Sequence, residues 1–556
     1  MKIQRLRKIA HIEDRATGKV VERIRYRKSN FRQGHIELPP SVVRDPRALE
    51  KQLVDVGAVL PRDRKIIKHL LDQVADQKPE TFQVYADRCG WTEDRQAYIL
   101  PRTVIGSPVE RIVGINPLGF ANDSSGRRLE VGTWHGWRRK VAEPASQSSM
   151  LMTAIAFSLA APFLSYLGHD SRTICIFGPS RSGKTTAALV AASVIGIGRT
   201  ADLPTWNVTD ARLEQQLALF NDSLFPIDDL GTIGGKAHEA YQRVRDLAYR
   251  LHQGWARARH STFSAANNLV REQWRAIGLT SSEISIRDLA KSAGCERLPG
   301  ECVRLIDVPV LLGGEDRLFD RARDITSRDA SAAMLQNIIN ATAEQHGAAF
   351  RQHILNMIKA DGRFNCKANA KRFTNAVRAR GDGNLTRDVA TTFGIAYAAG
   401  CFAIRCRLLP WTEADLLDAL HTIYRGAREM LPDDGVLLRN GLRALRRALR
   451  ELRRESVRIG SSVDFDSVNG FCKRTGNSRC YLIKGDTFNS IFATTRERTL
   501  VIQWLLQKHR LKTAGPPKSG DRRQIRPKDQ IVWPDRKRRR SVEIVWPRRP
   551  KKQRVR

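Results

Sequence analysis

Apolar and polar residues change rhythm several times along the chain, and each change marks a structural unit. From Lys2 to Tyr26 the two classes alternate, which predicts two strands around a Thr17-Gly18 turn, while Arg47 to Val56 and Arg64 to Gln77 repeat at helical spacing. From Val84 to Val141 short strand-like runs are punctuated by Gly and Pro, as in CGWTEDRQAYILP and ERIVGINPLGF, which predicts a β-rich collar. Between about Gln147 and Leu312, apolar helices alternate with the short strands TICIFG, LFPIDD, WRAIGLTSS and VRLIDVP, the pattern of a parallel α/β sheet.

Residues Arg317 to Met430 read as entirely helical. Arg439 to Arg458 forms a further helix with Leu442, Leu445, Leu449 and Leu452 on one stripe and arginines elsewhere. Strand, helix and helix then follow from Phe471 to Leu511, an order that suits a small winged-helix-like module. These rhythms divide the chain into an α+β region (1–85), a β-rich collar (86–146), an α/β core (147–315), a helical domain (316–435), a basic helix with the winged-helix-like module (436–515) and a basic tail (516–556).

One run tests the reading of the core. Met150 to Gly168 spans nineteen positions without a charge, near the length of a membrane-crossing helix. Thr153, Ser158, Ser165 and a mid-segment Pro162 interrupt it, and it lies about ten residues ahead of a phosphate-binding loop, so a buried packing helix and no membrane partner is the expectation.

Charge brings in a partner. The 556 residues carry 95 Lys and Arg against 58 Asp and Glu, a formal +37, which points to a polyanion, nucleic acid ahead of an anionic membrane surface. From Lys508 to Arg556 there are 19 basic and 4 acidic residues, a formal +15. Within that tail Ile531-Val532-Trp533-Pro534 is nearly repeated by Ile544-Val545-Trp546-Pro547; the two segments read either as solvated, base-stacking clusters or as a hairpin capping the preceding module. Nine scattered cysteines without a C-x-x-C exclude zinc-ribbon spacing and a dense disulfide framework, and charges interrupt the N-terminal MKIQRLRKIAHIEDR before a signal-peptide core forms; a reduced, cytoplasmic protein is expected.

The strongest chemical signal is Gly178-Pro179-Ser180-Arg181-Ser182-Gly183-Lys184-Thr185, which fits G-x-x-x-x-G-K-[ST] between a strand and a helix. In that arrangement backbone N–H groups wrap phosphates at a helix N-terminus, Lys184 reaches the outer phosphates, Thr185 holds Mg²⁺, and Thr186 continues the loop into the helix. Nucleotide hydrolysis also needs carboxylates at the end of a second strand. Leu224-Phe225-Pro226-Ile227-Asp228-Asp229, 44 residues beyond Lys184 at Asp228, supplies them, with Asp228 toward Mg²⁺ and Asp229 orienting water. The third strand, Trp274 to Leu279, ends in Thr280-Ser281-Ser282-Glu283, where a polar side chain such as Glu283 serves as a sensor or is an ordinary turn residue. Arg257, Arg259 and Arg304 are candidates for an arginine finger acting across a subunit interface or for a second sensor, against the alternative of solvated surface arginines.

The order GW…LP, AFSLAAPFL, GPSRSGKTT, TWNVTDARLE, NDSLFPIDDLG, GLTSSE and RLIDVP resembles the bacterial, plasmid and phage P-loop family catalogued as domain of unknown function nine-two-seven. DVATTFGIAYAAGCFA is similar to its helical part and RCYLIKGDTFNSIF to its C-terminal module, so the resemblance extends over most of the chain. It implies an ATP- and Mg²⁺-dependent ATPase of the AAA+ or superfamily-3-helicase kind, often carried on mobile elements. Because no arginine of the core motifs is placed to act on its own chain's nucleotide, a homo-oligomer is expected, with a hexameric ring one form open to it. By position the resemblance places Trp206, Thr209 and Glu214 on a W-x-x-T…E segment, Glu283 on the sensor strand and Arg304 on the last core strand. Two positions depart from the family: Asp229 stands where Glu is usual, as in some viral superfamily-3 helicases, and Trp255 follows Gly254 where Lys is usual. Two functions follow: a DNA-translocating helicase-like motor, or a nucleotide-gated DNA-binding switch or defence ATPase without strand separation.

Overall fold

The computed structural model describes residues 6–547 except 29, 31, 109, 117–127, 234, 257–272, 312–317, 323–324, 326, 380–381, 433, 459–463, 476–477 and 513–529. The chain divides into two compact units, Met1–Leu431 and Pro432–Arg556.

The first unit opens with β1 (Arg7–Asp14), β2 (Val20–Arg27) and β3 (Gln33–Leu38), whose alternation buries Ile12, Val21, Ile24 and Leu38. Helices α1 (Pro46–Asp55) and α2 (Arg64–Asp76) are capped by Asp45 and Asp63, whose carboxylates accept first-turn N–H groups. Their Leu49, Leu53, Ile67, Leu71 and Val74 pack against Ile24, Tyr26 and Leu38 of the sheet.

The expected collar is not one element. After β4 (Thr81–Ala86), the short strands β5 (Gly90–Trp91), β6 (Ala97–Ile99) and β7 (Val104–Gly106) form their own three-stranded sheet. β8 (Ile112–Ile115) instead joins the first sheet, whose order is β3-β2-β1-β4-β8, and residues beyond Trp134 are helical. Parallel pairing of β4 with β1 and with β8 joins segments distant in sequence, and local periodicity carries no record of such pairing.

The uncharged run forms α3 (Ser149–Ala160), continued by a turn at Ala161–Phe163 and a last helical turn at Leu164–Leu167. All twelve residues of α3 are buried. It is the central packing helix of this unit, an apolar cylinder covered on every side by protein.

The α/β core is a four-stranded parallel sheet of β9 (Arg172–Phe177), β10 (Ser223–Ile227), β11 (Ala276–Ser282) and β12 (Leu305–Pro309), in the order β10-β11-β9-β12. This is a P-loop NTPase-type fold. β11 runs through Ser282, three residues further than the sequence pattern marked, because Thr280, Ser281 and Ser282 pair with Cys175, Ile176 and Phe177. Around the sheet lie α4 (Lys184–Ile195), α5 (Asp210–Leu219), α6 (Ala237–Gln253), α7 (Ile286–Ser292) and α8 (Pro299–Arg304). The helical residues follow as α9 (Arg328–Glu344), α10 (Ala348–Ala360), α11 (Cys366–Ala376), α12 (Asn384–Arg405) and α13 (Glu413–Met430). α3 packs against α4, α12 and α13, which ties the helical residues and the sheet into one core.

The second unit begins with α14 (Asp434–Arg458) and continues through β13 (Gly470–Thr475), β14 (Ser478–Lys484), α15 (Gly485–Ser490) and α16 (Thr495–Gln507). Its tail is not a solvated appendage. β15 (Gln530–Val532) and β16 (Arg538–Pro547) pair with each other, and β16 pairs antiparallel with β14, so the sheet order is β13-β14-β16-β15. The leucine stripe of α14 packs with Val501 and Leu505 of α16 and with Tyr481, Ile483 and Ile544 of the sheet. A second small core holds Cys480, Leu482, Ile531 and Trp533, the last donating from its indole to Ser541 Oγ at 2.8 Å. The boundary placed at residue 516 therefore cuts through a single packed sheet.

Candidate nucleotide-binding site

The phosphate loop leaves the central strand β9 at Phe177 and enters α4 at Lys184. A Cβ at Gly178 would stand 2.5 Å from Val310 Cγ1, and Gly183, at φ +92°, would place one 2.5 Å from Leu318 Cδ2. Both glycines are dictated by close approach, and Gly183 also by a backbone region that other residues rarely adopt. Gly183 gives α4 no side-chain cap, which leaves the helix start open to an anion.

Lys184 is buried and folds back over the loop, its Nζ donating to Gly178 O at 2.9 Å and Pro179 O at 2.7 Å. Ser182 Oγ donates to Pro179 O at 2.7 Å, which fixes the turn. Pro179, Ser180, Arg181 and Thr185 are exposed, and Thr186 is buried. Beside Pro179–Ser182 opens a cavity of about 740 Å³ walled by Leu318, Phe319, Ile325, Ser331 and Leu335. Glycines, an uncapped helix start and a lysine whose partners are loop carbonyls form a donor-rich cradle that fits a nucleotide phosphate chain.

The carboxylates follow β10 at the same edge of the sheet. Ile227 is level with Thr280 on β11, and Thr280 with Cys175 on β9, so Asp228 and Asp229 lie level with the last two residues before the loop. β11 stands between, which at the usual strand spacing separates the carboxylate strand from the loop strand by about 10 Å. Asp228 N donates to Pro204 O at 2.8 Å, and the Asp229 carboxylate accepts from Gly231 N at 2.9 Å. Glu283 is exposed directly after Ser282, whose carbonyl accepts from Gly178 N at 3.2 Å; it therefore stands at the rim of the loop.

Thr280 is withdrawn from this rim. Fully buried, its hydroxyl accepts the Trp206 indole N–H at 3.1 Å. The segment between the two nucleotide motifs thus touches both the carboxylate strand, through Pro204, and the strand between, through Trp206. Thr209 caps α5 by accepting from Arg212 N at 3.3 Å. Glu214 is buried beside Arg250 of α6, at 3.8 Å, and Arg250 also reaches Asp210 at 2.7 Å. These contacts were not legible from spacing; the family resemblance marks Trp206, Thr209 and Glu214 as one segment without giving their partners.

Arg304 is not on the last core strand. It ends α8 one residue before β12, with its guanidinium 4.9 Å from the Tyr249 ring centroid and donating to Gly300 O at 2.7 Å. Since Leu305 pairs with Thr173, Arg304 stands level with Arg172, six strand residues or about 20 Å from Gly178, and it does not reach its own chain's loop. Arg257 and Arg259 lie outside the described residues. Trp255, just before them, is 44% exposed and bridges to Gln273.

Residues 4–271 match the family model described as "Domain of unknown function (DUF927)". Over these residues the chain is similar to DUF927 proteins. The DUF927 match holds the GW…LP segment, the phosphate loop and the carboxylate pair, and it ends before β11; the helical residues and the second unit, which the sequence resemblance had included, lie beyond it. No curated protein matches the chain in sequence. A solved structure described as "SCCmec type IV Cch - active helicase" is similar in fold, with a TM-score of 0.60 and 16% identity over 98% of this chain and 94% of that one.

Proposed function

We propose that this protein is an ATP-hydrolysing motor of the AAA+ or superfamily-3 kind that translocates on or unwinds DNA, working as a homo-oligomeric ring. The observation that carries this reading is the shared sheet edge: Lys184 and the phosphate loop follow β9, and Asp228–Asp229 follow β10 with one strand between. Interposing a strand leaves room between lysine and carboxylates for phosphates and a metal ion. The overall likeness to a helicase structure and the +37 charge support a nucleic-acid substrate.

In this reading Gly178–Thr186 cradle the phosphates, Lys184 neutralises their outer charge, and Thr185 with Asp228 would hold Mg²⁺. The bound metal supplies charge neutralisation at the phosphates. Asp229 orients and polarises the attacking water, and Glu283 at the loop rim senses the phosphate end. Leu318, Phe319 and Leu335 offer the adjoining cavity an apolar wall for the base. Arg304, remote from its own loop, is assigned with Arg257 and Arg259 to a neighbouring subunit's nucleotide.

Strand displacement on a forked duplex, measured beside ATPase stimulation by single- and double-stranded DNA, tests the proposal. Nucleic-acid-stimulated hydrolysis with displacement is expected. Hydrolysis that is indifferent to nucleic acid would overturn the motor reading.

A further inference from the structure

The positive charge is concentrated in the second unit. Residues 432–556 hold 33 Lys and Arg against 12 Asp and Glu, a formal +21 of the chain's +37. Three of these cations are locally compensated: Arg539 pairs with Asp466 and Asp535, Lys537 with Asp466, and Lys512 with Glu543. Exposed Lys473, Arg474, Arg538 and Arg540 are spread over two strands, whereas α14 gathers its arginines on one helix. Arg443, Arg446, Arg447, Arg450, Arg453 and Arg454 are all exposed, and none has a carboxylate partner among the described residues.

These six residues share one face. At about 100° per residue they fall within an arc of about 120°, centred about 120° from the leucine stripe, and they extend along about 17 Å of helix. The leucine stripe, Leu442, Leu445, Leu449 and Leu452, is buried in the unit's core. Six uncompensated guanidinium groups on one rigid face repel one another, so the arrangement is stabilised by a polyanion laid along it.

The buried leucines decide which polyanion. A basic helix that binds an anionic membrane inserts its apolar face, and here that face is already used. Aromatic platforms for unpaired bases are also withdrawn: Trp533 is buried, and the partly buried Trp504 and Trp546 rings lie 6.2 Å apart with the Arg510 guanidinium over both. We infer that the arginine face of α14 is the chain's principal duplex-DNA surface, contacting phosphates without reading sequence. The inference rests on the nucleic-acid reading above and locates its contact.

The test uses the full chain and a duplex of arbitrary sequence. One variant combines Arg443→Gln, Arg446→Gln, Arg447→Gln and Arg450→Gln; a control removes the same four charges from exposed positions of the first unit, Lys51→Gln, Arg62→Gln, Lys65→Gln and Lys68→Gln. The α14 variant is expected to lose about tenfold or more in affinity at low salt and to flatten the slope of log K against log salt by about 3 to 4, with the control unchanged. Equal loss in both variants, or none in the α14 variant, would overturn the inference. Absence of duplex binding by the unsubstituted chain would instead overturn the nucleic-acid reading itself. Should the fourfold variant fail to fold, Arg450→Cys carrying a photo-crosslinker must label the duplex while Lys65→Cys does not; the reverse result overturns the proposal equally.

Discussion

The Trp206 indole donates to the buried hydroxyl of Thr280 at 3.1 Å, linking the segment between the two nucleotide motifs to the strand that separates them. Asp228 N holds the same segment through Pro204 O. Both bonds tie the 204–206 segment to the strand ends that carry Asp228 and Thr280.

Trp206→Phe keeps the ring and removes the donor. Leaving the Thr280 hydroxyl unpaired should cost about 1–3 kcal/mol of stability, read from denaturant unfolding. Turnover should fall while nucleotide affinity holds. A full turnover rate with the expected stability loss would confine the bond to a structural role.

Lys184→Ala should lower ATP turnover by about 10²-fold or more, because in the proposed function it removes the cation that neutralises phosphate charge. Lys184 Nζ bonds to the loop carbonyls of Gly178 and Pro179 and to no sheet residue among the described residues, so the melting temperature should stay near that of the unsubstituted chain. Undiminished turnover would refute the assignment of the loop.

Asp229→Asn should bind ATP and fail to hydrolyse it, since the amide keeps the Gly231 cap but not the charge that polarises water. Asp228→Asn should shift the Mg²⁺ requirement upward. Normal hydrolysis by Asp229→Asn would move the water-orienting role to Glu283, at the loop rim, ahead of Glu214, which Arg250 occupies.

Burial raises the Asp222 carboxyl to about 6, against which Trp91 N donates at 3.2 Å. Its folded-state pKa lies above the unfolded value, so its contribution is complete below about pH 4 and is lost as pH rises through 6. The loss is on the order of 3 kcal/mol across that window. Asp222→Asn should flatten this part of the stability profile; an unchanged slope of unfolding free energy between pH 4 and 7 would show that the group does not titrate there.

Deleting residues 516–556 should unfold the second unit, because it removes Ile531, Trp533 and Ile544 from two cores at about 1.5–3 kcal/mol each. Deleting only 548–556 should not. Native-like near-ultraviolet circular dichroism and melting after the longer deletion would contradict the packed hairpin.

Local pattern alone marked the phosphate loop, the presence of the four core strands, the uncharged run from Met150 to Gly168 and the leucine stripe of α14. Each of these is a short-range signal: a spacing, a period or an apolar length that any chain must satisfy to bury its own face. Only the tertiary structure decided which strands neighbour one another, since pairing energy depends on partners far away in sequence and leaves no local periodicity. Hence β8 left the collar for the first sheet, β11 extended to Ser282, and Arg304 moved to the end of the sheet away from the loop. The two Ile-Val-Trp-Pro segments show the same limit. Their composition fits solvated clusters and a hairpin alike, and the choice falls to β14, whose apolar Cys480 and Leu482 are covered when Ile531 and Trp533 pack over them.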